Sequence, residues 1–115
     1  MQELRIDDRD RAVVGGPEWV PFDKGALDDT EYQTLAEWEA ELGMSITWML
    51  STEFGRGSAW GLKAYVWLAR KVAGIATPPL AAFELRFPRR VRVRPVKKAA
   101  DADPPPQGSS EPPSA

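Results

Sequence analysis

The residues able to do chemistry are few, and their spacing decides what they could do. The chain has 115 residues with no Cys and no His. That removes disulfides, thiolate metal sites, the usual zinc ligands and the usual general base at neutral pH. The remaining acid groups cluster twice. Asp7, Asp8 and Asp10 surround Arg9, but the Gly and terminal Glu of a calcium loop are not at the right spacing, so the cluster reads as a solvated segment. Glu37, Glu39 and Glu41 stand at i, i+2, a spacing that points side chains of a helix apart. They read as solvent-facing charges. Gly55-Arg56-Gly57-Ser58 precedes a helix as an anion-binding turn would, but it lacks the Lys-Ser/Thr of a phosphate loop and reads as a hinge and cap. No catalytic residue, cofactor or metal site is expected, and the chain is not expected to be an enzyme.

The stretch Trp60, Lys63, Trp67, Arg70, Lys71 is the strongest candidate for contact with a partner. At 100° per residue it forms one arc of a helix, opposite Leu62, Tyr65, Leu68, Ala69 and Val72. Trp and Arg are enriched at binding hot spots. The competing reading is a core helix with both indoles at its margin and the cationic stems lying over them.

These residues must be positioned by a small fold. Residues 1–54 carry 13 acidic and 4 basic side chains; residues 55–98 carry 1 and 11. Two halves of opposite sign either attract each other or dock a charged partner. Residues 99–115, with five prolines and nothing larger than Gln or Glu, are expected to be a disordered Pro/Ser-rich tail. Residues 1–98 then form one globular α+β domain, predominantly helical, with three to four helices, an N-terminal β-hairpin and a C-terminal strand.

Leu4 and Ile6 alternate with charges, a weak strand signal. Arg11–Val14 and Glu18–Phe22 flank Gly15-Gly16-Pro17 as a hairpin would, with Pro21 marking an edge. A first helix is predicted after Thr30, with a Thr30/Gln33 capping box and Leu35, Trp38 and Leu42 on its buried face, ending at Gly43. Ser45 caps a short helix over ITWMLSTEF. Ser58 caps a longer one that ends at Gly74, and Thr77-Pro78 opens a short helix near PPLAAFEL. Arg90–Arg94 alternates strictly, as a half-buried strand does.

From Trp19 onward this order of elements, with ELG, SITWML, AxxWLARK and TPPLAAF at its joints, resembles the small tail assembly chaperones of long-tailed (siphovirus-type) bacteriophages of actinobacteria. Abundant Ala, Gly, Pro and Arg with no Asn suits a high-GC genome. The resemblance covers about residues 19–96. It implies a non-catalytic protein that binds the tape-measure protein, keeps it soluble and helps bring tail-tube protein to it. It also implies a shorter partner of a frameshifted product, with Lys97-Lys98 or Pro104-Pro105-Pro106 as candidate slippage points. Self-association is left open. The basic stretch Arg86, Arg89, Arg90, Arg92, Arg94, Lys97, Lys98, with Phe87 inside it, supports the alternatives: a nucleic-acid-binding protein or another phage structural or adaptor protein. The acidic first half and a pI near 5.2 disfavour nucleic acid. No leader or membrane-spanning run is visible, so the expected place of action is the bacterial host cytoplasm.

Overall fold

The computed structural model describes residues 1–96. The expected tail over 99–115 and the cations Lys97 and Lys98 lie outside those residues. The fold is mixed α+β, as expected, built around a three-stranded antiparallel sheet and five helices.

Strand β1 (Gln2–Arg5) is followed by helix α1 (Asp8–Val14). The predicted strand at Arg11–Val14 is therefore corrected to helix. Local capping outweighs the β preference of Val13-Val14: the Asp7 carboxylate accepts from the Arg9 N–H at 2.9 Å, and Asp8 and Asp10 favour the first turn. Gly15 and Gly16, at φ 76° and 97°, turn the chain out of α1. Strand β2 (Val20–Phe22) then pairs with β1, not with the segment just before the glycines.

Strand β3 (Arg92–Pro95) takes the other side of β1, giving the order β2-β1-β3. Its residues are exposed, not half-buried as the alternation suggested, because the core packs against β2 at the opposite edge of the sheet, where Val20 and Phe22 are buried. Glu3 faces Pro21 on one side and Arg94 on the other, and Gln2 faces Phe22 and Pro95. The Val96 N–H donates to the Met1 carbonyl at 3.0 Å. Antiparallel bonding alternates from there, so Glu3 and Arg5 bond toward β3 while Gln2 and Leu4 bond toward β2. Pro21 and Pro95 thus sit where their nitrogens face outward from the two sheet edges. Neither removes a ladder bond, and both blunt an edge against strand addition.

Helix α2 (Lys24–Asp28) is capped by Asp23, whose carboxylate accepts from the Gly25 N–H. Helix α3 (Tyr32–Leu42) starts after Glu31 without a side-chain cap. The predicted capping box at Thr30 does not form; the Thr30 hydroxyl donates back to the Ala26 carbonyl of α2. Gly43, at φ 74°, ends α3 as expected. Ser45 caps α4 (Ile46–Trp48) by accepting from the Trp48 N–H, and the chain continues as a widened π-helical turn, Met49–Phe54. Helix α5 (Ala59–Val72) runs through the centre. The short helix expected near PPLAAFEL is a 3₁₀ turn, Leu80–Ala82. Thr77 does not cap it, since its hydroxyl donates to the Ile75 carbonyl. A second 3₁₀ turn, Pro88–Arg90, leads into β3.

Candidate functional site

Helix α5 carries the residues singled out from the sequence. The Ser58 hydroxyl accepts from the Gly61 N–H at 2.9 Å and donates to the Glu53 carbonyl at 3.1 Å. This sews the start of α5 to the π-helical turn. The two backbones touch at Gly61, where any Cβ would run into the Glu53 carbonyl. Only glycine permits that crossing. One turn further, Tyr65 stacks on Phe54 at 4.0 Å and meets Phe22 of β2 edge-on at 5.2 Å. Its hydroxyl donates to Gln2 Oε1 of β1 at 2.8 Å. Burial pushes the phenol up to about 12.

The arc expected to face a partner is not a free surface. Trp67 is 0 % exposed and Arg70 1 %. The Trp67 indole N–H donates to the Pro78 carbonyl at 3.0 Å. The Arg70 guanidinium donates to the carbonyls of Val14 (3.2 Å), Gly15 (2.9 Å) and Ala76 (3.4 Å), and its Nε to the Thr77 hydroxyl (3.2 Å). The first two carbonyls close the end of α1, where a cation suits the helix dipole. No carboxylate stands among these partners, and burial lowers the Arg70 pKa. Lys71 is half-buried, 3.4 Å from the Thr77 carbonyl and 5.5 Å from the Trp67 ring. Trp60 and Lys63 are half-buried near the start of the helix. The expectation of an exposed Trp67–Arg70 face is corrected. The strap over residues 75–83, whose Phe83 is itself buried, covers the side that the helical wheel leaves open.

Three further charged residues, read as solvated from the sequence, hold backbone, and of the three only Glu41 is exposed as expected. Asp10 is buried, and its carboxylate accepts from the N–H groups of Arg86 (2.9 Å) and Phe87 (3.0 Å). Glu39 accepts from the first N–H of α4, at Ile46, and Glu41 from the N–H of Leu80, both at 2.8 Å. The i, i+2 divergence of Glu39 and Glu41 is real; it sends them to two different elements. Asp7 is half-buried, and the Arg9 side chain holds its carboxyl down to about 2.

The basic stretch is partly spoken for. Arg94 pairs with Glu3 at 2.8 Å and lies 3.7 Å over the Trp19 ring. Phe87 has Arg9 at 3.5 Å and Arg86 at 5.3 Å from its ring centre. Arg89 donates to the Gly57 carbonyl. Both aromatic rings near these cations are therefore already in contact with arginine. A cleft of about 140 Å³ is lined by Arg5, Ile6, Asp7, Asp8, Arg90 and Arg92, but its carboxylates are engaged by Arg5, Arg9 and Arg11. Among the described residues, no three acid groups converge in a way that could hold a metal ion, and no helix is long and apolar enough to cross a membrane.

Met1, Val13 and Val93 are exposed at the sheet and in α1, and two aromatic side chains are left in solvent elsewhere. Tyr32, at the start of α3, is 84 % exposed, and Trp48, at the end of α4, is 55 % exposed. Sequence reasoning passed over both. Between α2, α3 and α4 lies a groove of about 240 Å³ lined by Leu27, Asp28, Leu35, Glu39, Ile46 and Thr47.

Comparison of the chain with protein-family models, with curated proteins and with solved structures finds no match.

Proposed function

We propose that this chain is a non-catalytic, protein-binding chaperone that acts in phage tail assembly, binding the tape-measure protein and keeping it soluble in the host cytoplasm. The observation that carries the reading is the pair of exposed aromatics, Tyr32 and Trp48, on an acidic helical layer. A small domain gains little in its own stability from aromatics in water, and aromatic side chains are enriched where proteins contact partners. The order of elements from Trp19 onward, with its resemblance to tail assembly chaperones, supplies the identity of the client. The test is co-expression with the tape-measure protein of the same phage. The client is expected in the soluble fraction only when this chain is present; equal solubility with and without it would overturn the reading.

One observation favours a second reading. Arg86, Arg90 and Arg92 are exposed and form no ion pair among the described residues. A nucleic-acid contact through them would weaken steeply with salt. Client solubilisation that survives Arg90→Glu, Arg92→Glu separates the two, since a nucleic-acid contact through these cations would be lost.

A further inference from the structure

We infer that the groove between α2, α3 and α4 is a docking site for one face of an amphipathic helix that carries lysine or arginine beside its apolar stripe. The inference rests on the protein-binding reading above and names its surface. The groove has an apolar floor of Leu27, Leu35 and Ile46 and a polar rim of Asp28, Glu39 and Thr47. Its volume, about 240 Å³, suits one or two large apolar side chains. On α3, Tyr32, Leu35 and Glu39 stand at i, i+3 and i+7, so the exposed Tyr32 ring continues the stripe that lines the groove.

Charge selects the occupant. Residues 23–41 carry seven acidic side chains and one basic, Lys24. Asp28 meets Lys24 in an exposed pair at 3.3 Å, a geometry that neutralises little. Asp29, next to Asp28, and Glu31, four residues before Leu35, are exposed and form no ion pair among the described residues, whereas Glu37 stands on the far side of α3. An apolar groove with uncompensated acid around it fits an apolar anchor flanked by cations, and it repels an acidic strand or nucleic acid. A helix fits better than a strand for a second reason. Pro21 and Pro95 face outward at the two sheet edges and blunt both against strand addition, which favours helix-in-groove contact over an added strand.

The probes are synthetic helices of about 20 residues: one with a leucine stripe and lysine flanks, one with glutamate flanks, and one with the lysine-leucine composition scrambled. Binding to the full chain is read by fluorescence anisotropy. The lysine-flanked helix is expected to bind at least tenfold tighter than either other peptide. The double variant Asp28→Arg, Thr47→Arg alters two exposed rim positions and is expected to weaken that binding at least tenfold with an unchanged melting temperature. Tyr32→Ser is expected to weaken it without affecting folding. Equal affinity for all three peptides, no binding by the wild type, or full binding by the folded double variant would overturn the site. So would self-association that the rim variant abolishes while the peptide fails to bind, which would give the groove to a second copy of the chain. Peptide binding as expected without solubilisation of the tape-measure protein overturns the proposed function and leaves the groove standing. Solubilisation that survives the rim variant does the reverse.

Discussion

The second half of α5 and the α3–α4 layer use the same kinds of residue to opposite ends. In α5, Trp67 and Arg70 point at a strap that supplies a carbonyl for the indole and two acceptors for the guanidinium, and the end of α1 supplies two more. In the α3–α4 layer, Tyr32 and Trp48 stand in solvent. An aromatic beside a charge is therefore ambiguous until the partners of its polar atoms are known. Where every donor is satisfied inside the chain, the residue holds the fold. Where a large ring is left in water, it is available to another molecule.

Breaking the buried side of that comparison should have the largest effect. Arg70→Leu removes every donor to the carbonyls of Val14, Gly15 and Ala76 supplied by this side chain. At ~1–3 kcal/mol for each buried group left unpaired, a loss of roughly 3–5 kcal/mol is expected in urea denaturation; a wild-type midpoint would show that the clasp is dispensable. Leu68→Ala, at a fully buried position, should cost about 2–5 kcal/mol by leaving a cavity. Trp38→Ala should cost less, because Trp38 is only partly buried against the core; the reverse order would contradict the burial described here. Asp10→Ala should cost about 1–3 kcal/mol by orphaning the N–H groups of Arg86 and Phe87.

A pH titration sharpens the same contrast. Burial raises the folded Tyr65 pKa from 10.0 to about 12, so above pH 10 the unfolded chain gives up its phenolic proton first. Stability contributed by the neutral phenol is present in full below pH 10 and is lost as pH rises toward 12. Tyr65→Phe should flatten that decline in thermal melts.

Much of this fold was legible in the sequence, because its signals are local. Ser45, Ser58 and Gly43 mark helix ends by chemistry that needs only neighbouring residues. Pro21 correctly marked an edge. Arg11–Val14 was misread because two β-branched residues before a Gly-Gly turn resemble a strand, while the cap at Asp7 and the clasp from Arg70 favour helix. The candidate contact face was misread for a longer-range reason. A helical wheel shows which residues share a side but not what covers it, and the strap that buries Trp67 and Arg70 comes from the segment after the helix. The roles of Asp10, Glu39 and Glu41 have the same origin. A carboxylate that accepts from a backbone N–H far along the chain leaves no spacing pattern to read.

The central claim is that the exposed aromatics of the α3–α4 layer, not the cationic indole arc of α5, meet the client. The most direct measurement is the soluble fraction of a co-expressed tape-measure protein with the double variant Tyr32→Ser, Trp48→Ser, alongside its melting temperature. Both rings lie at the surface, so folding stability should stay within about 0.5 kcal/mol of wild type while the client is lost to the pellet. A stable double variant that keeps the client as soluble as the wild type does would contradict the account.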